Sequence, residues 1–215
     1  MAKKTPIKLK STVKVSDVIN LGQLLLKFSR VERSTFHEDG SRPETDSDHS
    51  IMLSVLGCAI ADRLRPDLDI GKIAQYALIH DLVEVYAGDT ITVRISEEEK
   101  QAKNKREAEA LARIIKEFGK SFPWLANTTT SYEALDTIEA RFVKGLDKLM
   151  PEITHILNNG KYIRQINMTQ EELITGYDKQ ISEMKKYSHD LPEVIKLKNE
   201  IAEVFIEIMS LNNKF

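Results

Sequence analysis

A histidine followed directly by an aspartate stands inside the apolar helical run "QYALIHDLVEVYAGDT", residues 75–90. His80 offers an imidazole nitrogen, Asp81 a carboxylate, and Glu84 a second acid three positions on. A carboxylate left unpaired in an apolar setting is costly, so these groups call for a cation or a set of donors. Their types suit a divalent ion held beside a reacting phosphoryl group. On a regular helix neighbouring side chains point about 100° apart, so the doublet cannot close a metal site alone. Other ligands must come from distant parts of the chain.

Two candidates supply them. His49 opens an apolar helix in "DSDHSIML", and Asp147 sits between Leu146 and Leu149 in "RFVKGLDKLM". Asp136 and Glu139 compete with Asp147; the first reads as an exposed or capping acid, the second as a surface residue or a support behind the ligands. Two imidazoles with two carboxylates suit Mn²⁺, Co²⁺, Fe²⁺ or Zn²⁺ and leave positions open for water and substrate. The bland alternative makes His80-Asp81 a hydrogen-bonded pair in a helix core and His49 an ordinary residue of a helix start.

The elements that must position these residues have the helical period almost throughout. Val18, Leu21, Leu25 and Phe28 share a face of a helix starting near Ser16 or Asp17. After the polar loop "STFHEDGSRPETDS", residues 50–64 are apolar nearly all round, as in a central buried helix. Residues 71–86 form the next helix, stopping near Gly88. Ser96 with Glu99 makes a capping box for a charged helix striped by Ala108, Leu111, Ala112, Ile115 and Phe118. Its Lys and Glu residues in "SEEEKQAKNKREAEA" read as a solvated face.

Leu135, Ile138, Phe142, Leu146 and Leu149 mark a further helix ending or kinking at Pro151. Thr169 with Glu172 caps another, through Ile174, Tyr177, Ile181 and Met184. The last uses Leu197, Ile201, Val204, Phe205 and Ile208. "DTITVRIS" alternates weakly but is short and reads as a loop or an isolated extended piece, while Phe122 and Trp124 anchor a loop on the core. The expected fold is all-α: one helical bundle of six to eight helices over 16–215, after a basic arm at 1–15.

A chain of 215 residues can bury a sizeable core. A net charge of −2 gives no footing for a nucleic-acid polymer, and no apolar stretch has the roughly 18–20 residues that span a bilayer. One cysteine, Cys58, excludes an internal disulfide and reads as a small buried residue in a cytoplasmic protein.

The ordered string His49, His80-Asp81, Asp147 resembles the HD-domain metal-dependent phosphohydrolases, over about residues 16–160. "HDLVEVYAGD" looks like the H-D-x-x-E-x-x-x-G-D block of the YfbR-like or HDDC2-like branch, which removes phosphate from deoxyribonucleoside 5′-monophosphates. "EARFVKGLDKLM" looks like that branch's E-A-x-F-V-K-x-x-D segment. The resemblance implies an HD-domain fold with His49, His80, Asp81 and Asp147 as metal ligands. It makes Glu84 the acid that orients or deprotonates the attacking water, Arg33 the phosphate grip and Asp89 a contact to the substrate sugar. Arg30 and Arg42 compete with Arg33, and Asp89 could instead cap the turn after Gly88.

Relatives in this branch commonly form homodimers. Some follow the arginine with a tryptophan where this chain has Ser34, which leaves base preference open. The (p)ppGpp hydrolases carry an acid where Val85 stands, and the cyclic-di-GMP type needs an H-H-x-x-x-x-G-Y-P segment that "TGYDK" does not supply. Rival readings are a phosphodiesterase or diphosphohydrolase, and a nucleotide-binding protein without turnover.

Overall fold

The computed structural model describes residues 13–211, so nearly all of the expected N-terminal arm lies outside the described residues. Helix α1 (Val15–Phe28) buries Leu24 and Phe28 but leaves Val18 and Leu25 exposed. The packed stripe is rotated from the expected one because apolar residues fill 24 to 26 side by side. Periodicity cannot choose between stripes about 100° apart.

The segment expected as a polar loop is a hairpin. Strand β1 (Glu32–Phe36) pairs antiparallel with β2 (Pro43–Thr45), with Glu32 opposite Thr45 and Phe36 opposite Pro43. Gly40 takes φ +68° in the turn, and Asp39 accepts a 2.8 Å bond from the Ser41 amide. Strands this short and polar leave too little alternation to detect. Alternation still directs Arg33 and Thr35 to the same inward side.

Helix α2 (Asp46–Leu64) starts three residues before His49, behind a Thr45–Asp48 capping box. It buries His49, Leu53, Gly57 and Ala61, whereas Ile51 and Val55 are exposed, so it is one-sided rather than buried all round. Cys58 is half-buried for the same reason. Helix α3 (Ile70–Ile79) packs most extensively on α2.

The helix expected over 71–86 is broken at the doublet. After Ile79 the chain tightens into successive i→i+3 bonds, Leu82 to Ile79, Glu84 to Asp81, Val85 to Leu82 and Tyr86 to Val83. A short α4 (Glu84–Ala87) then ends at Gly88, φ +73°.

Helix α5 (Glu97–Phe118) begins at the expected Ser96–Glu99 box and buries Ala110, Ile114 and Phe118, with Ile115 outward. The stretch read as a loop is helix α6 (Pro123–Ala134), opened by proline at its first turn; Trp124 is exposed. Helix α7 (Ile138–Asp147) gives way to α8 (Met150–Leu157), whose first turn takes Pro151. Short α9 (Lys161–Gln165) precedes α10 (Gln170–Tyr187), capped by Thr169 and Glu172 as expected, and α11 (Pro192–Leu211).

The all-α class holds. Among the described residues there are eleven helical segments against the six to eight expected, because α6 and α9 escaped notice and two expected helices are broken. The stretch "DTITVRIS" is irregular, as read. One core joins α1 to α8 and the start of α11 around Leu53, Ile73, Phe142 and Leu146, and a smaller one sits among α9, α10 and α11 around Tyr177 and Phe205. Among the described residues no helix is long and apolar enough to cross a membrane.

Candidate metal centre

The four residues singled out as ligands meet where the start of α2, the end of α3 and the end of α7 converge. One ligand atom from each of His49, His80, Asp81 and Asp147 lies within 4.8 Å of the other three. His49 Nε2 is 3.1 Å from Asp147 Oδ1, and His80 Nε2 is 2.9 Å from Asp81 Oδ2 and 3.5 Å from Asp147 Oδ1. His49 and His80 are buried, their ring centroids 5.2 Å apart.

The donor set fits a divalent cation. His80 Nδ1 faces the Ala77 carbonyl at 2.8 Å, and donation along that contact turns the Nε2 lone pair toward the carboxylates. Despite its short contacts, Nε2 has no hydrogen bond of proper geometry. Burial works against charging His80, but Asp81 and Asp147 outweigh it and bring the pKa up to about 9. His49 is driven down by burial and by Arg33. Burial opposes ionisation of Asp147 too, but Lys148, 2.9 Å away, and the two histidines hold it well below the usual range.

Glu84 enters the same space through the tightened turn. At about three residues per turn, i and i+3 eclipse, so Asp81 and Glu84 project to one side. Asp46, Asp81 and Glu84 form a second convergent set within 4.8 Å. Glu84 is buried and its Oε2 has no partner. Burial, then repulsion from Asp81, Asp46 and Asp89, pushes its pKa up to about 11.

Arg33 reaches this set from β1. Its Nη1 donates to Asp81 Oδ2 at 2.5 Å and to Asp46 Oδ1 at 3.2 Å, while its buried Nε is unpartnered. Of its rivals, Arg42 pairs with Asp48 on the outside of the hairpin, and Arg30 is exposed. Asp89 sits at the rim, half-buried, with its charge felt by Glu84 and Asp46. Glu139 lies elsewhere, accepting from the Asp69 amide, and Asp136 accepts from Ser131 on the surface.

Sequence reading passed over three neighbours. Asp46 was hidden in the loop that proved to be a hairpin and helix start. Lys148 follows Asp147 directly, and Lys103 belongs to the run read as solvated. Lys103 in fact turns inward, its side chain 20% exposed and its Nζ 3.7 Å from Glu84 Oε1. The spacing of Lys103 and Glu107 as an i, i+4 pair was the signal available, but many such pairs lie on solvent.

Residues 26–189 match a family model described as HD domain. The human 5′-deoxynucleotidase HDDC2 is 30% identical over 183 residues, 83% of this chain and 81% of that protein. The 5′-deoxynucleotidase YBR242W of Saccharomyces cerevisiae is 31% identical over 128 residues, 55% of this chain and 51% of its own. A crystal structure described as a predicted metal-dependent phosphohydrolase from Magnetospirillum magnetotacticum superposes with a TM-score of 0.73 at 23% identity, covering 91% of this chain and 94% of that one. Family model, human relative and shared fold agree: the chain belongs to the HD-domain family.

Proposed function

We propose that this protein is a metal-dependent phosphomonoesterase that converts 2′-deoxyribonucleoside 5′-monophosphates to nucleoside and phosphate. The observation that carries this reading is the convergence of His49, His80, Asp81 and Asp147 on one point beside a buried, unpartnered Glu84 oxygen. The similarity to 5′-deoxynucleotidases supports the substrate class.

The four residues would hold the ion, and the mixed nitrogen and oxygen donors suit Mn²⁺, Co²⁺, Fe²⁺ or Zn²⁺. When bound, it supplies acidification of water and neutralisation of phosphoryl charge. Glu84, returned to its carboxylate form once a bound cation offsets the neighbouring acids, turns its unpartnered Oε2 to the attacking water and takes up its proton as the bond to phosphorus forms. Arg33, fixed through Nη1, offers its unpartnered Nε to a phosphate oxygen. Asp89 faces the sugar from the rim. The bond from phosphorus to the 5′ oxygen breaks, and the nucleoside leaves with a proton. Exposed Val18 and Ile19 on α1, with Ile51 and Val55 on α2, support a homodimer.

Phosphate release with Mn²⁺ and Co²⁺ over deoxy- and ribonucleoside mono- and diphosphates tests the reading. Monophosphates are expected to yield phosphate and nucleoside, deoxy forms fastest. Stoichiometric metal with no release from any substrate would leave a binding protein, and pyrophosphate or monophosphate products would indicate a diphosphohydrolase. Glu84→Gln is expected to keep its metal and lose rate by about 10²–10⁴-fold.

A further inference from the structure

We propose that Lys103 is a positioning residue of this active site, one that fixes Glu84 by engaging a single oxygen and leaving the other free for the reacting water. The inference rests on the assignment of Glu84 above.

Helix α5 packs along α4, and Lys103 crosses the boundary between them. Its Nζ lies 3.7 Å from Glu84 Oε1 and 2.5 Å from Glu107 Oε1, one turn further along α5. Glu84 Oε2, in the same carboxylate, is buried without a partner. The two oxygens are therefore unequal: Oε1 faces an ammonium and Oε2 has no partner, in a carboxylate that converges with those of Asp46 and Asp81.

The nearby guanidinium of Arg33 is spent on Asp46 and Asp81. Lys103 is the cation that pairs with Glu84. Other lysines of α5 behave differently; Lys100 extends to Glu183 on α10 with its side chain 37% exposed. A lysine that gives up solvent gains only if a fixed partner repays the desolvation. Glu107 supplies the fixed end and sets the reach of the ammonium, whose three donors can serve both carboxylates.

A purely structural Lys103 would join α5 to α4 and affect stability alone. A positioning Lys103 acts on the reacting geometry, and misplacement of a reacting group lowers turnover more than binding. The experiment compares Lys103→Met, Lys103→Arg, Glu84→Gln and the double variant Lys103→Met/Glu84→Gln. It measures kcat and KM on one deoxyribonucleoside 5′-monophosphate, bound metal by elemental analysis, and thermal midpoint.

Lys103→Met should lower kcat by about ten-fold or more with KM within about two-fold. Metal content should be unchanged and Lys103→Arg should recover much of the loss. In the Glu84→Gln background the same substitution should have no further effect on kcat. The proposal is overturned if Lys103→Met keeps kcat within about two-fold, if its loss adds in full to that of Glu84→Gln, or if metal content falls in step with rate. A Glu84→Gln enzyme with intact kcat would instead sink the role given to Glu84, a result distinct from failure at Lys103. Should Lys103→Met not fold, Glu107→Gln, which frees the other end of the ammonium, must show the same kcat-selective loss for the proposal to stand.

Discussion

Between α8 and α11, Lys198 Nζ lies 2.5 Å from Glu152 Oε1 and donates to the Lys148 carbonyl at 2.6 Å. Both side chains are buried, and the one cation closes with the one anion. At the junction of α2, α3 and α7 the balance is different. Asp46, Asp81, Glu84 and Asp147 crowd together with Asp89 at the rim, facing Arg33, Lys103 and Lys148. Five acids against three Lys and Arg side chains are more carboxyl groups than can all stay ionised where solvent is scarce, and burial with this crowding pushes Glu84 and Asp46 toward their protonated forms.

Unpartnered atoms do not separate the two regions, since Glu152 Oε2 and His155 Nδ1 lack partners as well. What separates them is the crowding of carboxyl groups together with side-chain atoms converging on one point. A neutral pair stabilises a fold; an uncompensated cluster asks for something from outside.

That contrast can be broken at several places. The largest effect is expected from Asp81→Ala, which removes a proposed ligand and a partner of Arg33. Bound metal should be lost and turnover should fall by at least about 10³-fold while most helicity remains, as elemental analysis, kinetics and circular dichroism would report. Retention of the metal would place it elsewhere.

At the neutral pair the effect should appear in stability. Lys198→Met strands Glu152 and should cost about 3–5 kcal/mol in urea unfolding, whereas adding Glu152→Gln should recover most of it. If the double variant were no better than the single, the pair would not be the balanced unit described.

A smaller effect comes from His155, buried and stacked on Phe205 with ring centroids 5.6 Å apart. Burial, then Lys198, lowers its pKa to about 4. The unfolded chain takes up that proton near 6.5, so it holds more protons than the folded one between these values. Stability should therefore decline as pH falls from about 6.5 to about 4, by up to about 3 kcal/mol from this group. His155→Phe should flatten urea midpoints over that window, and an unchanged slope would contradict the assignment.

The helical class and the His and Asp positions that converge could be read from the sequence because each leaves a local mark: a 3.6 period, or an acid and imidazoles amid apolar neighbours. The geometry between them could not. Arg33 stands on a strand too short for alternation to register. The tightened turn after Ile79, which eclipses Asp81 and Glu84, looks like ordinary helix in a residue string. Lys103 and Asp46 carry charges that surface residues carry too, and only packing reveals which of them turn inward.

Glu44 sits between the hairpin and α8 with both oxygens occupied, one by the Thr35 hydroxyl at 2.8 Å and the other by that of Thr154 at 2.9 Å. The wall that presents Arg33 is thereby clamped to the body of the molecule and cannot swing aside without stranding a buried acid. On the opposite flank, Arg106 holds Thr90 and Arg94 holds Glu172 through exposed contacts that cost little to release. The wall that carries Arg33 is thus tied down by buried contacts, and the stretch after Gly88 by exposed ones.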